Sequence, residues 1–380
     1  MHRQCSLVLC SFFLLLPCVG SCRSHDDYAS QPSYRSPEES PSTKAAEWNI
    51  HERANPEMQR VLDALDRLGG KPIETLEPEI ARLQPTPADA VHALVAEGEL
   101  QRPPTDGVST EDSTIPGPAG PIPIRIYTPS GDGPFPVVVY YHGGGWVIAD
   151  LDTYDGSARA LASGARAIVV SSHYRQAPEH PFPAAHEDAF TAYRWVLANA
   201  PTFDGDADEV AVAGESAGGN MAASVCLMAR EANVELPKHQ LLIYPVTSTS
   251  LDWPSVEEFA RAKPLSKAML PWFLERYAPA GWAKSDPRLD LMGADVRSLP
   301  PATVIVAEID PLRDEGLAFA QRLERAGVPV EVKQFSGVTH EFFGMTAALD
   351  AARQAQAFAC TRLVRDLGAG PTLVQESRHR

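Results

Sequence analysis

Gly214-Glu215-Ser216-Ala217-Gly218 follows directly on the apolar run Val210-Ala211-Val212-Ala213 and opens a segment with the periodicity of a helix. A Gly-x-Ser-x-Gly sequence between a strand and a helix is typical of a nucleophile elbow, where a sharp turn exposes the serine hydroxyl. Gly214 and Gly218 lack the side chains that would clash in such a turn. The helix start also offers backbone N–H groups and the positive end of its dipole to a developing oxyanion. We therefore predict that Ser216 is a nucleophile.

A second glycine-rich stretch, Tyr141-His142-Gly143-Gly144-Gly145-Trp146, follows an earlier apolar run. Three consecutive glycines cost conformational entropy unless the backbone must approach something closely. Glycine amides without side chains beside them can point at a substrate carbonyl oxygen and stabilise the oxyanion that forms there. We predict this role for the stretch, and a flexible loop is the alternative.

The sequence around these two stretches alternates between short apolar runs and helix-length segments. Most of the runs are continuous rather than alternating, which is typical of strands covered on both faces. Alternation of strand and helix predicts an α/β fold with a mostly parallel central sheet and helices on both faces. With an elbow after one of its strands, this is the α/β-hydrolase fold. The candidate strands are residues 122–126, 137–141, 167–170, 210–213, 241–244, 303–306 and 330–332, and the candidate helices are residues 184–200, 217–232, 312–326 and 346–367.

A serine hydroxyl is a poor nucleophile at neutral pH, so a base must take its proton and a carboxylate must orient that base. In this fold the order along the chain is serine, acid, histidine. Asp310 closes the strand that begins at Thr303, and His340 follows the last strand. Both lie beyond strand carboxyl ends, where ligands bind in such sheets. We therefore predict a catalytic triad of Ser216, Asp310 and His340.

Other acids and histidines offer weaker alternatives. Glu308 and Asp314 are the rival acids, and Asp314 is expected in the first turn of the following helix. The remaining histidines near this region precede Ser216, so chain order excludes them as the base: His173, His180 and His186. For each single assignment, the alternative is an aspartate that caps a helix or a histidine that faces water.

Neither a metal nor an organic cofactor is expected from the sequence. His186-Glu187 and His340-Glu341 both begin like a zinc-protease helix. Phe190 and Gly344 stand where the second histidine would be, so neither motif continues. No Gly-x-Gly-x-x-Gly follows the first strand, which argues against a dinucleotide.

The composition is that of a globular protein, with 44% hydrophobic and 22% charged residues in a chain of 380. A formal net charge of −16 argues against nucleic acid as a partner, because binding through phosphates needs a positive surface. Four of the six cysteines lie within the first 22 residues. Cys226 and Cys360 fall in helical apolar patterns and are expected to be small buried residues rather than nucleophiles or ligands.

The first residues have the pattern of a signal peptide. Arg3 precedes an apolar run over residues 7–16, which Pro17 and small residues close. The run is too short to cross the roughly 30 Å hydrocarbon core comfortably, so export is favoured over a spanning anchor. Val19-Gly20-Ser21-Cys22 resembles the lipobox of bacterial lipoproteins, in which the cysteine is acylated. The protein would then be periplasmic or exposed at the cell surface and tethered to a membrane through Cys22, whereas cleavage by an ordinary signal peptidase would secrete it.

Five segments are expected along the chain. Residues 1–22 form the signal peptide, 23–44 a Ser- and Pro-rich disordered linker, and 45–110 a helical cap region cut by prolines. Residues 111–370 form the catalytic domain, and 371–380 form a flexible tail. An aromatic-rich insert over residues 253–282 breaks the strand and helix alternation, and either covers the strand carboxyl ends as a lid or packs on the domain.

In its motifs the chain resembles the hormone-sensitive-lipase family of esterases. The matching motifs are His142-Gly143-Gly144-Gly145-Trp146, Gly214-Glu215-Ser216-Ala217-Gly218-Gly219-Asn220, Asp310-Pro311-Leu312-Arg313-Asp314-Glu315, His340-Glu341-Phe342, and Tyr174-Arg175-Gln176-Ala177-Pro178-Glu179. The resemblance covers about residues 122–367. Glu215 departs from it, since the family often has aspartate there, and so does the exported amino terminus.

The resemblance implies triad roles for Ser216, Asp310 and His340, without a cofactor. It implies an oxyanion hole formed by the amides of three residues: Gly144, Gly145 and Ala217. It also implies an amino-terminal helical cap and small-molecule esters with short to medium acyl chains as substrates. The alternatives are an amide or N-acyl hydrolase that uses the same triad, and a non-catalytic ligand-binding receptor like the family's plant gibberellin receptor, in which the histidine is missing.

Overall fold

A computed structural model describes residues 53–101 and 107–368. Within these ranges, eight strands form a single sheet: β1 (Val108–Gly117), β2 (Gly120–Pro129), β3 (Phe135–Tyr141), β4 (Ile168–Ser172), β5 (Gly205–Glu215), β6 (Gln240–Ile243), β7 (Ala302–Ile309) and β8 (Val330–Thr339). Their order across the sheet is β1-β2-β4-β3-β5-β6-β7-β8. β2 pairs antiparallel with β1 and β4, and all other neighbours are parallel.

Helices cover both faces of this sheet. One face packs against α5, α6 and α9, and the other against α1, α3, α4 and α10. In chain order, the helices of the described ranges are α1 (Pro56–Arg67), α2 (Pro78–Ala81), α3 (Pro87–Ala96), α4 (Asp155–Ala165), α5 (Ala184–Asn199), α6 (Ala217–Glu231), α7 (Pro254–Glu258), α8 (Met269–Tyr277), α9 (Arg313–Arg325) and α10 (Asp350–Asp366).

The central strands are apolar on both sides because each side belongs to a different core. Along β3, Val137 and Val139 join the core on one face, while Val138 and Tyr140 join the core on the other. All four side chains are fully buried. Continuous apolar runs are what such a doubly covered strand requires. The predicted mostly parallel α/β-hydrolase fold is confirmed.

Two elements were not anticipated from the sequence. β1 reads Val-Ser-Thr-Glu-Asp-Ser-Thr-Ile-Pro-Gly, and only Ile115 of it is buried, so this edge strand carries almost no apolar signal. It begins at Val108, ahead of the expected domain boundary at residue 111. Helix α4 is built largely from alanine, serine and glycine, which leaves a weak apolar pattern even though Leu161 is fully buried.

The amino-terminal helices begin with strong local signals. Asn55 caps α1 by accepting a hydrogen bond from the Met58 backbone N–H at 2.8 Å. Thr86 and Asp89 form a reciprocal capping box at the start of α3. Each cap satisfies backbone donors that have no partner within the helix.

No helix within residues 53–101 and 107–368 is both long and apolar enough to cross a bilayer. The expected signal peptide, Cys22, the linker over residues 23–44 and the tail over residues 371–380 lie outside the described residues.

Candidate active site

Ser216 lies at the turn between β5 and α6. Its backbone has φ 56° and ψ −118°, a conformation that residues with side chains rarely adopt. The turn is held by the Ser216 N–H, which donates to the Ile243 carbonyl at 2.9 Å, and by the Ser216 carbonyl, which accepts from Asn220 and Val246. The side chain faces a cavity although the residue is only 6% exposed. The structure therefore has, at this position, the strand-to-helix turn that the sequence predicts for a nucleophile elbow.

Gly218 is required by the close approach of α6 to β3. A Cβ atom at this position would lie 1.9 Å from the Tyr141 carbonyl oxygen. At Gly214 an added Cβ would lie 2.2 Å from the carbonyl oxygen of Gly218 itself. Since backbone atoms cannot move aside as a flexible side chain can, both positions exclude larger residues.

His340 follows β8 directly and pairs with Asp310. Its Nδ1 lies 2.7 Å from Asp310 Oδ2, and both side chains are buried. The second oxygen of Asp310 accepts a hydrogen bond from the Leu312 N–H at 2.9 Å, which fixes the carboxylate. His340 and Ser216 line the same cavity. The structure thus brings the three predicted triad residues to one place.

The rival acids have other partners. Asp314 accepts from the Ser255 N–H at 2.9 Å and pairs with Arg313 Nε at 2.8 Å. Glu308 accepts from the Gly337 N–H at 2.8 Å and from Arg53 at 3.2 Å. Among the three carboxylates considered from the sequence, Asp310 is the one that contacts His340.

The surroundings of His340 favour its charged form. Burial by itself would lower the pKa of the imidazole, but the charge of Asp310, its hydrogen bond, and the charges of Glu341 and Glu215 outweigh burial. The pKa of His340 is therefore raised above its usual value of 6.5. An imidazole of this kind accepts a proton more readily than a free histidine does.

The predicted oxyanion stretch follows β3 and borders the cavity. Gly144 and Gly145 have φ angles of 92° and 58°, both in the region that favours glycine. A Cβ at Gly144 would meet the Ile148 carbonyl oxygen at 2.2 Å, and a Cβ at Gly145 would meet the Phe273 ring at 2.2 Å. Ala217, the third predicted contributor, is the first residue of α6 and is buried next to Ser216.

The neighbouring residues of this motif support its backbone. His142 is buried, and Tyr174 Oη donates to the carbonyls of His142 and Gly143 at 2.9 Å each. Burial lowers the pKa of His142 to about 3, so it is neutral at physiological pH. Trp146 stacks on Tyr277 with ring centroids 4.6 Å apart and forms part of the cavity wall.

Glu215 is buried below the elbow and was expected only as a motif residue. Tyr140 Oη donates to its Oε1 at 2.5 Å, and Tyr244 Oη donates to its Oε2. The Tyr244 ring packs on the His340 imidazole with centroids 4.5 Å apart. Burial raises the pKa of Glu215 to about 7. Through its hydrogen bond with Tyr244, Glu215 therefore connects the nucleophile elbow to the ring that packs against His340.

Glu315 and Glu341 also line the cavity, and the sequence alone assigned neither a role. Glu315 Oε1 accepts from the backbone N–H groups of Thr247 and Ser248, at 2.7 and 3.3 Å, and burial raises the pKa of Glu315 to about 8. Glu341 follows His340 and accepts from Tyr154 Oη at 2.6 Å. Both stand inside motifs quoted above, so their type was visible, but their partners are distant in the chain.

The cavity has a volume of about 380 Å³. One part of its wall comes from the amino-terminal helical region and another from the aromatic-rich insert. Trp272 Nε1 of the insert donates to the Leu76 carbonyl at 3.2 Å, which joins these two parts. Wall residues from the two regions include Ile73, Ala81 and Pro85, and Leu265, Met269 and Phe273.

Within the described ranges there is no group of three or more histidine, cysteine, aspartate or glutamate side chains arranged to hold a metal ion. His186, one of the histidines excluded by chain order, is buried between Tyr277 Oη at 2.5 Å and Asn220 Oδ1 at 2.9 Å. Cys226 and Cys360 are buried free thiols, as expected of small core residues.

Comparison with known proteins shows which family the chain is similar to. A family model described as alpha/beta hydrolase fold matches residues 138–344. Carboxylesterase NlhH of Mycobacterium tuberculosis H37Rv is 44% identical over 255 residues, which are 65% of this chain and 79% of that protein. Ethyl acetate hydrolase of Pseudomonas putida is 35% identical over 307 residues, covering 78% of this chain and 94% of that protein.

Solved structures give the same result. An esterase of Pyrobaculum calidifontis superposes with a TM-score of 0.72 at 36% identity, covering 82% of this chain and 98% of that one. A thermostable esterase of Pseudomonas putida ECU1011 superposes with a TM-score of 0.75 at 34% identity, covering 83% and 98%. The chain is therefore a serine hydrolase of the carboxylesterase type and belongs to the family of hormone-sensitive-lipase-like esterases with the α/β-hydrolase fold.

Proposed function

We propose that the protein hydrolyses carboxylic esters with short to medium acyl chains through an acyl-enzyme on Ser216. The observation that carries this proposal is the 2.7 Å contact between His340 Nδ1 and Asp310 in a cavity that Ser216 also lines. A serine in a strained turn beside a histidine oriented by a buried carboxylate is the arrangement that nucleophilic acyl transfer needs.

In the first half of the cycle, His340 Nε2 takes the proton of Ser216 as Oγ attacks the ester carbonyl carbon. Asp310 keeps Nδ1 protonated and stabilises the imidazolium that results. The tetrahedral intermediate then collapses, the bond to the alcohol oxygen breaks, and His340 Nε2 returns the proton to that oxygen. The alcohol leaves, and the acyl group stays on Ser216.

In the second half, His340 takes a proton from water, and the hydroxide equivalent attacks the acyl carbon. Collapse of the second intermediate returns the proton to Ser216 and releases the carboxylic acid. In both halves, the amides of Gly144, Gly145 and Ala217 stabilise the oxyanion, and each such donor contributes about 10² to 10³ in rate.

The acyl chain range rests on the cavity. Its apolar wall from Leu265, Met269 and Phe273 suits an alkyl chain, and its volume of about 380 Å³ is at the lower end for small-molecule sites. One relative bears the name ethyl acetate hydrolase, which supports a short acyl group. The helices around Ile73 and Ala81 would then act as the cap.

A series of p-nitrophenyl esters of increasing acyl length tests this proposal. We expect kcat/KM to peak at short or medium chains and to fall for long ones. Ser216→Ala is expected to lose turnover while its circular dichroism spectrum stays that of the parent. Hydrolysis at the parent rate by Ser216→Ala would contradict the assignment, and a rate that increases up to long chains would contradict the substrate range.

We also propose that the protein is exported and held at the membrane through acylated Cys22. The support is the apolar run over residues 7–16 followed by Val19-Gly20-Ser21-Cys22. Acyl chains on one cysteine contribute about 0.8 kcal/mol per buried methylene, enough in total for stable anchoring without a spanning helix.

A further inference from the structure

Glu341 occupies a position beside the reactive nitrogen of His340 that the hydrolytic cycle does not use. Glu341 Oε1 lies 3.8 Å from His340 Nε2. Glu341 has a positive φ of 70°. Both residues line the cavity, and the Glu341 side chain is about one-fifth exposed to it. A substrate in the cavity therefore meets this carboxylate.

The position of Glu341 identifies which part of a substrate it meets, given the cycle proposed above. His340 Nδ1 is held by Asp310, so Nε2 is the nitrogen that returns the proton to the leaving oxygen. Hydrogen-bond reach brings the alcohol oxygen within about 3 Å of Nε2 at that step. A carboxylate 3.8 Å from the same atom is thus within reach of groups on the first carbons of the alcohol part.

Only one oxygen of Glu341 is engaged by the protein. Tyr154 Oη donates to Oε1 at 2.6 Å and fixes the orientation of the carboxylate. Among the described residues, none donates a hydrogen bond to Oε2. An ionised carboxylate has about four acceptor positions, so Glu341 keeps acceptor capacity for a ligand. Burial raises the pKa of Glu341.

The cavity is lined by both polar and apolar side chains. Asp150, Thr153 and Gln176 line it together with Tyr154 and Glu341, whereas the insert contributes apolar side chains. Gly143 permits this arrangement, because a Cβ there would lie 2.2 Å from Tyr154 Oη. A polar wall near the leaving oxygen suits a polar alcohol, and the apolar wall suits the acyl chain.

We propose that Glu341 binds a hydrogen-bond donor on the alcohol part of the substrate, so that the preferred substrates are monoesters of diols or polyols. The donor is a hydroxyl separated from the ester oxygen by two or three carbons, and Glu341 accepts its hydrogen bond through Oε2. Tyr154 acts as a positioning residue that holds the carboxylate. This inference rests on the proposed ester hydrolysis and adds the class of alcohol to it.

A matched pair of substrates tests it on the full-length chain at about pH 8, because an alkaline pH favours the ionised form of a carboxyl group whose pKa is raised. The pair is 2-hydroxyethyl butanoate and n-propyl butanoate, which share the acyl group and replace a hydroxyl by a methyl. We expect kcat/KM to favour the hydroxyethyl ester by about tenfold, as a hydrogen bond to a charged group provides. In Glu341→Ala the ratio is expected to fall to about one, and in Glu341→Gln to an intermediate value.

The ratio separates recognition from any general damage to His340, because a weakened base slows both esters alike. Glu315→Gln is the matched control, since it removes another cavity carboxylate, one that the Thr247 and Ser248 N–H groups already engage, and is expected to keep the parent ratio. A parent ratio near one, an unchanged ratio in Glu341→Ala and Glu341→Gln, or a ratio lost in Glu315→Gln instead would overturn the proposal.

Failure of the proposed ester hydrolysis would look different. In that case the parent protein would hydrolyse neither butanoate and would not act on p-nitrophenyl butanoate. Turnover of p-nitrophenyl butanoate with a hydroxyethyl-to-propyl ratio near one would retain the hydrolase and overturn only the role of Glu341.

Discussion

Ser216 combines a strained backbone with a reactive position. A non-glycine residue at φ 56° costs about 1–3 kcal/mol, and the hydrogen bonds of the turn to Ile243, Asn220 and Val246 offset that cost. The strain aims the hydroxyl at the cavity rather than into the packed sheet. Function and stability are therefore opposed at this residue.

Ser216→Gly is expected to raise the free energy of unfolding by about 1 kcal/mol, because glycine adopts this backbone without strain. Turnover is lost in the same variant. Ser224→Gly, in the middle of α6, is the control and is expected to lower the free energy of unfolding by about 0.5–1 kcal/mol. Denaturant titrations measure both, and a Ser216→Gly protein less stable than the parent would contradict the strain.

The pairing of His340 with Asp310 predicts unequal effects of two neighbouring aspartates. Asp310→Asn is expected to lower kcat by about 10³ to 10⁴, because the amide no longer holds the histidine in the required tautomer. Asp314→Asn retains the contact with Ser255 and is expected to lower kcat by less than about tenfold. Equal losses in the two variants would contradict the choice of acid.

The raised pKa of His340 sets the pH dependence. His340 must be neutral to take a proton, so activity is lost as pH falls through its pKa in the free enzyme. Asp310, Glu341 and Glu215 all raise that pKa, which places the acid limb of kcat/KM above about pH 6.5. Below it, kcat/KM is expected to fall tenfold per pH unit. A kcat/KM that stays constant down to about pH 5 in a folded protein would show that the pKa of His340 is not raised.

At the scale of elements, Arg82 connects the amino-terminal helices to the catalytic sheet. It follows α2, and its guanidinium donates to the carbonyls of Val147 and Ala177 and forms a bidentate pair with Glu179. The contacted carbonyls lie near the oxyanion stretch. Arg82 therefore links α2 to the part of the structure that carries the oxyanion stretch.

Arg82→Ala is expected to lower the free energy of unfolding by about 1–3 kcal/mol, because two carbonyls and a carboxylate lose their donor. KM is expected to rise more than kcat falls, since Ala81 beside it lines the cavity. Arg67→Ala is the control: its pair with Glu97 is half exposed and is expected to contribute at most about 1 kcal/mol. Thermal unfolding and steady-state kinetics measure the stability and the KM of both variants. Equal losses of stability and equal changes in KM in Arg82→Ala and Arg67→Ala would contradict the role of Arg82 in linking α2 to the sheet.

The parallel strands were predictable because burial on both faces leaves a continuous apolar run, as in β3. β1 was not predictable, because an exposed edge strand does not need a continuous apolar run. Only Ile115 of β1 is buried. The same division holds for the site. Ser216, Asp310 and His340 were predictable from the local motifs around them and from their order in the chain. The contacts of Tyr244 with Glu215 and of Tyr154 with Glu341 join residues far apart in the chain, which only the fold brings together.

At the scale of the whole molecule, the proposed acylation of Cys22 would determine where the enzyme acts. In cells, Cys22→Ala is expected to move the protein from the membrane fraction to the soluble exported or unprocessed fraction, because the acyl chains have no attachment site. Cys18→Ala, within the same leader, is the control and is expected to remain with membranes. Fractionation with mass spectrometry of the mature amino terminus measures this, and an unacylated mature protein in the parent strain would contradict anchoring.

The central claim is that Ser216 is the nucleophile of an acyl-enzyme cycle. Reaction of the full-length protein with a fluorophosphonate, followed by intact mass measurement and peptide mapping, tests this most directly. The expected result is a single covalent adduct on the peptide that contains Ser216, absent from Ser216→Ala. A folded protein that forms no adduct, or carries the adduct on another residue, would contradict the account.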